Sequence, residues 1–406
     1  MALAFFLPIH GKIVPVLIAM LFLNWLTEAR FMNIPRIFRE KVRLLSFSFA
    51  ALYGLYLIGM LYSTNLGFGS FDLEVKLSLI VFPLVFATIS EDSTDPRLSF
   101  FVFCSFLAGC FAGSLILSGF AFVEYIRLRN PAVFFYTGFS RFIHPSYLSM
   151  YLNLAISFIG YSLVRKDQHV KVNIRFLLVF LLLLFSFEVF LLSSKAGIFS
   201  LMLVLLLIIL FYMTVHKNIW KGIIMIVVTG TMFYAAFRFL PITAARFKGA
   251  ETVLSEQKGS DHDKIESNSE RLVAWKAALE VIRKYPVFGV GTGDVKDELM
   301  SEYQRGHKLA AYSMQLNSHN QYFQTWIATG LAGLLVLVSM LVIPAWLALS
   351  RRDLLYFSFL AVFAFNLLVE SMLEIQAGVI YYAFFNSLLF FRLSSGLFSK
   401  GSPNKK

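Results

Sequence analysis

One histidine in this chain stands where its chemistry can be used. His319-Asn320 is followed nine residues later by Gly330-Leu331-Ala332-Gly333, where a long polar segment gives way to an apolar one. A neutral imidazole at such a boundary can take a proton from a hydroxyl. The plainer reading is an interfacial histidine that only hydrogen-bonds, followed by glycines that let helices pack closely. Residue types alone weigh the two equally, since an ionisable group at a membrane boundary is only a starting hypothesis.

Cations accompany it. Arg271 opens Arg271-x3-Trp275 on a helical stretch, where a positive charge near the helix start opposes the dipole and needs a compensating partner. A diphosphate fits the guanidinium fork; a surface acid such as Glu270 or Glu280 serves equally well on spacing. Ser193-Ser194-Lys195-Ala196-Gly197 is a short turn between two strongly apolar runs. Lys195 there either holds a lipid-linked phosphate as a point charge or snorkels to ordinary headgroups. In Arg141-Phe142-Ile143-His144-Pro145 the cation and the imidazole lie three apart and can line one cavity, or Pro145 simply marks a helix start.

Other patterns carry less. Gly289-Val290-Gly291-Thr292-Gly293-Asp294 has the look of a nucleotide loop, but no strand precedes it, so a tight turn is the better reading. Glu370 and Glu374 lie one helical turn apart; a glycosidase-like carboxylate pair is conceivable, and polarity at a helix end is the simpler account. No HExxH, Cys/His cluster or carboxylate-rich metal motif is present. Neither a metal nor another cofactor is expected.

The elements that must position these residues are membrane helices. Of 406 residues 58% are hydrophobic, 45 are Phe and only 15% are charged, and mean hydropathy is +0.71. This excludes a soluble enzyme, a disulfide scaffold and a disordered chain. Apolar stretches near 2–9, 13–27, 44–62, 73–90, 98–124, 142–164, 174–192, 195–214, 219–240, 321–349, 354–370 and 376–393 predict about twelve spans, the first being short enough for a half-helix or re-entrant turn. Cys104 and Cys110, six apart in one run, face different ways and read as packing residues. The first residues lack a charged region and a cleavage site and read as the start of a bundle.

Orientation follows from Lys and Arg in the short connections. Arg30 to Arg43, Arg165 to Arg175, Lys217 to Lys221, Arg351-Arg352 and Arg392 to Lys406 fall on one side, the cytoplasm. The polar segment 241–320 then lies outside. It holds eleven Lys/Arg and eleven Asp/Glu, so the net charge of +12 comes from the rest of the chain. That basic balance is topology, and no nucleic-acid partner is expected. The chain divides into an N-terminal bundle, 1–240, an outer loop, 241–320, and C-terminal helices with a cytoplasmic tail, 321–406. Within the outer loop, Gly249 to Asn268 reads as a mobile stretch. Ser269 can cap a helix that begins near Arg271, carries the stripe Leu272, Trp275, Ala278, Leu279 and Ile282, lies against the membrane face and ends before Pro286.

Together, Arg271-x3-Trp275, Pro286-Val287-Phe288-Gly289-Val290-Gly291 and His319-Asn320-x9-Gly330-x2-Gly333 on one outer loop after a string of spans resemble the O-antigen ligase and polymerase superfamily of bacterial envelopes. The likeness of topology covers nearly the whole chain, its specific motifs lie within 190–333, and the histidine element is the most discriminating. The resemblance implies an all-α, GT-C-like integral membrane protein of the bacterial inner membrane, with a large helical periplasmic loop and its active site facing the periplasm. It also implies a metal-independent, inverting glycosyltransferase. An O-antigen ligase would move a glycan from undecaprenyl diphosphate to a sugar hydroxyl of lipid A core, among membrane lipids. Carried over by position, His319 would be the general base and Arg271 a diphosphate ligand, with Asn320 and Trp275 as substrate-binding neighbours. The family usually shows arginine where this chain has Lys195. A lysine cannot reproduce a bidentate clamp, so Arg141, with His144 beside it, would assist or the donor is held differently. Rivals are an O-antigen polymerase or protein O-oligosaccharyltransferase of the same superfamily, and, from another class, a transporter or flippase of lipid-linked sugars. The last predicts paired intramembrane charges and internal repeats; only Glu188 stands out mid-span, and no repeat is visible.

Overall fold

The computed structural model describes residues 1–89, 97–165, 171–248 and 268–398, and every regular element among them is helical. In chain order the α-helices are α1 Ala2–Phe6, α2 Val14–Thr27, α3 Ile34–Arg39, α4 Lys41–Ser48, α5 Ala51–Met60, α6 Leu66–Lys76 and α7 Ser78–Ala87. Then come α8 Arg97–Leu128, α9 Tyr136–Phe139, α10 Pro145–Val164, α11 Val172–Leu191, α12 Lys195–His216, α13 Ile219–Phe239 and α14 Pro241–Lys248. The last are α15 Asn268–Lys284, α16 Val295–Arg305, α17 Leu309–Ser313, α18 Gln321–Ser350, α19 Leu354–Val369 and α20 Gln376–Phe398.

Among the described residues seven helices are long and apolar enough to cross a bilayer, or eight if the bent pair Gly11–Thr27 and Arg30–Arg39, at 73°, is one span. The remaining sequence-predicted spans are short, broken or interrupted. Helix α1 has five residues, far fewer than the roughly 20 that a crossing needs. The stretch 73–90 is divided between α6 and α7, which carries Pro83; α19 has 16 residues; and α20 includes Asn386, Ser387 and Arg392. Of the expected mobile stretch, Gly249 to Asn268, residues 249–267 lie outside the described residues, and Asn268 opens α15.

Two compact units are built from discontinuous segments. The first comprises Met1–Met20, Arg97–Ser255 and Ala348–Phe363. Its centre is α10, with 89% of its apolar window buried, whereas α13 has 6%. Small and polar residues explain the difference. The Asn153 amide donates to the Gly197 carbonyl at 3.0 Å, and Gly160 and Gly197 leave room for Ile208 and Ser149, so α10 and α12 approach closely. By contrast Trp220, Ile224, Val228 and Tyr234 of α13 are exposed, a surface suited to lipid. Glu188 of α11 is buried and accepts from Ser114 at 2.5 Å.

The second unit comprises Leu21–Pro96, Glu256–Leu347 and Ala364–Lys406. Phe82 and Phe86 of α7 meet Phe384 of α20 edge to face. Helix α18, one apolar run in sequence, breaks at Gly330, where φ is +69° and ψ −163°. Helix α15 begins three residues before Arg271. Its buried face is Ala274, Ala278, Val281 and Ile282, while Leu272 and Leu279 are exposed. The expected stripe is therefore rotated toward the alanines and Val281, and α15 packs on α16.

Candidate functional site

The break in α18 is what the glycine motifs build. A helix interrupted at Gly330 frees backbone groups that need partners, and Pro286–Gly291 supplies them. The Val290 N–H donates to the Ile327 carbonyl at 2.8 Å and Gly291 N–H to Ala328 at 3.1 Å; Leu331 N–H donates to Pro286 and Val287 at 3.1 and 3.2 Å. Trp326 Nε1 donates to the Pro286 carbonyl at 2.8 Å. Gly289 and Gly291 take φ of +71° and +96°, a region that glycine reaches without steric cost. A Cβ on Gly330 would overlap the Val287 carbonyl. The turn continues to Asp294, which accepts from both Thr64 N–H and Oγ1 and from Asn65 N–H at 2.7–3.0 Å. Burial alone would raise this carboxyl, but those backbone donors outweigh it and hold it below the usual carboxylate range.

On this framework His319 ends the loop ahead of α18, with φ +45°. Its N–H donates to Asn317 Oδ1 at 2.9 Å, and its carbonyl accepts from Trp275 Nε1 at 3.4 Å. Asn320 caps the helix, its Oδ1 accepting from Phe323 N–H at 3.1 Å. The imidazole Nδ1 lies 3.1 Å from Glu370 Oε1. The other carboxylate oxygen lies 3.7 Å from Arg271 Nη2. Burial pushes the Glu370 carboxyl up, but the His319 hydrogen bond, the His319 and Arg271 charges and the Ser371 N–H outweigh it and lower its pKa. An ionised carboxylate only accepts, so Nδ1 carries a hydrogen toward it, and in the neutral imidazole Nε2 then keeps its lone pair. That is the tautomer a general base needs. Arg271 Nε is buried with no hydrogen-bond partner.

Of the residues predicted from sequence, His319, Arg271, Asn320 and Trp275 therefore share one unit and one set of contacts. The other three belong to the first unit. Lys195 opens α12, whose Ser194 cap accepts from Gly197 N–H at 3.2 Å. Arg141 pairs with Glu124 at 2.7 Å and lies over the Phe120 ring. His144 caps α10, its Nδ1 accepting from Ser146 N–H at 3.3 Å, as the helix-start reading of Pro145 anticipates.

Sequence reasoning missed the role of Glu370, set aside as helix-end polarity. The signal in the sequence was the expected alternation of spans, in which the end of the stretch 354–370 falls on the same side as His319. The acids offered as partners for Arg271 were Glu270 and Glu280; Glu280 pairs with Arg283 at 2.6 Å instead, one turn along α15. Also missed was the buried Lys76, which bonds Asp72 and Glu374. Among the described residues no group of three or more His, Cys, Asp or Glu is arranged to hold a metal ion.

An uncharacterized protein of Haemophilus influenzae is 29% identical over 110 residues, which are 25% of this chain and 27% of that protein. The chain thus matches only about a quarter of the length of that relative. The O-antigen ligase family model matches residues 178–338. This range contains Lys195, Arg271, Trp275, the Pro286–Gly291 turn, His319 and Gly330, and over it the chain is similar to the O-antigen ligase family.

Proposed function

We propose that this protein is an O-antigen ligase of the bacterial inner membrane, with about twelve crossings and segment 241–320 as a periplasmic catalytic loop. The donor is a glycan on undecaprenyl diphosphate, and the acceptor is a sugar hydroxyl of lipid A core. His319 Nε2 takes the acceptor's proton as its oxygen bonds to the anomeric carbon. The bond from that carbon to the phosphate oxygen breaks, its electron pair leaves with the diphosphate, and the configuration inverts. Arg271 and Lys195 stabilise the charge that gathers on the leaving group. Trp275 and Asn320, beside His319, and Arg141 and His144 would be substrate-binding residues. No metal takes part.

The observation that carries this reading is the His319–Glu370–Arg271 arrangement. One carboxylate holds the base in its working tautomer and touches the cation beside it. The test is transfer by purified protein from lipid-linked glycan to a lipid A core acceptor. His319→Ala should lower turnover by about 10²–10⁴-fold, the usual worth of a general base. Undiminished turnover in this variant removes the role.

Polymerase and protein O-oligosaccharyltransferase activities share this chemistry and differ in acceptor. In a deletion strain a ligase defect strands long glycan on the lipid carrier, whereas a polymerase defect leaves single units on the core. A transporter or flippase of lipid-linked sugars also has support, because the Asp72–Lys76–Glu374 cluster supplies the buried paired charges such a protein uses. Substrate binding without turnover by wild-type protein would favour it.

A further inference from the structure

The segment that presents Glu370 runs between α19, which ends at Val369, and α20, which begins at Gln376, and carries one 3-10 turn, Met372–Glu374. Side chains tie this segment to the elements around it. Ser371 Oγ lies 3.3 Å from Ser318 Oγ. The Leu373 N–H donates to Gln321 Oε1 at 2.7 Å, and Gln321 Nε2 donates back to Glu374 Oε1 at 3.0 Å. The second Glu374 oxygen accepts from Lys76 Nζ at 3.0 Å. Lys76 is fully buried, bonds Asp72 one turn earlier on α6, and stands 4.7 Å from the centre of the Tyr56 ring. Gln321 opens the helix that follows His319. The loop of the acid and the loop of the base are thus tied through Ser318 and Ser371 and through one glutamine, whose partner carboxylate is fixed by a buried ammonium.

We propose that Lys76 is a positioning residue: through Glu374 and Gln321 it fixes the 371–374 turn, so that Glu370 meets His319 in the geometry that catalysis requires. This rests on the transferase reading above. A buried lysine among two carboxylates is a weak device for stability, because desolvation offsets attraction. It is a strong device for fixing one arrangement, because each wrong arrangement orphans a charge. Lys76 acts on the base through the turn.

The experiment uses the purified full-length protein with lipid-linked glycan donor and lipid A core acceptor. Lys76→Met should lower kcat about 10-fold or more while the donor KM stays within about 2-fold, and hydrogen exchange at Ser371 and Leu373 should quicken. Lys76→Arg, which keeps the charge, should recover much of kcat. Since Lys76→Met orphans two acids and can unfold the chain, the neutral triple variant Asp72→Asn, Lys76→Met, Glu374→Gln is made alongside. It should fold and remain slow with an unchanged KM. Wild-type kcat in the triple variant overturns the proposal, as does unchanged exchange in the turn. If wild-type protein transfers nothing, the transferase reading falls on its own, and the exchange comparison still decides whether Lys76 holds the turn.

Discussion

Glu370 holds the Nδ1 side of the His319 ring at 3.1 Å, across 51 residues of sequence. The same carboxylate reaches Arg271 with its other oxygen. One acid therefore sets the tautomer of the proposed base and neutralises the cation proposed to meet the donor. The base and the cation are coupled through it, and variants at either end should be felt at the other.

Glu370→Gln keeps the shape but can present an N–H to Nδ1, favouring the tautomer in which Nε2 holds the hydrogen. Turnover should fall by about 10²–10⁴-fold, as when the acid of a catalytic triad becomes an amide. The donor KM should change little. Steady-state kinetics of the reconstituted protein checks both; an effect confined to KM would remove the orienting role.

Glu370 also makes a pH prediction for stability. Its pKa is lowered in the fold, so its contribution is complete above the ordinary value of 4.5 and is lost as pH falls through the lower folded value. Thermal unfolding followed downward from pH 7 should show wild type losing its advantage over Glu370→Gln in that acid window and not before it.

Arg271→Lys keeps one positive charge but not the fork. Donor KM should rise about 10-fold, with a smaller change in kcat, since a lysine meets phosphate as a point charge. Arg271→Gln should be worse on both parameters. Initial rates over a donor concentration series distinguish the three proteins.

Gly330→Ala forces a side chain into positive φ and into the carbonyl of Val287. The strain alone is worth about 1–3 kcal/mol, and the bonds from 286–291 to 327–331 would be disturbed. A lower unfolding temperature is expected, with loss of turnover because the first part of α18, which follows His319, loses its anchor on 286–291. Gly119→Ala, where a Cβ meets open space, is the neutral control for thermal unfolding.

Orientation is open to direct measurement. In a background of Cys104→Ala and Cys110→Ala, cysteine is placed at exposed Ser301 in α16 or at exposed Arg352 between α18 and α19. In spheroplasts an impermeant maleimide should label Ser301→Cys at once and Arg352→Cys only after permeabilisation. The reverse pattern would place the proposed catalytic loop in the cytoplasm.

Composition and periodicity determined that this is a helical membrane protein, because a chain with so many apolar runs has no other way to satisfy its backbone in lipid. Residue type and spacing also picked out His319, Arg271, Trp275 and the two glycine motifs. Tertiary structure alone decided what those motifs do. The break at Gly330 is invisible in an unbroken apolar run, since its cause is the Pro286–Gly291 turn that pairs with it from 36 or more residues away. Likewise Glu370 reads locally as a polar helix end; it becomes the partner of His319 and Arg271 because an ion buried beside another must be paired wherever the chain returns. Sequence pattern reports on neighbours a few residues apart, whereas the pairing of charges is settled by which loops meet.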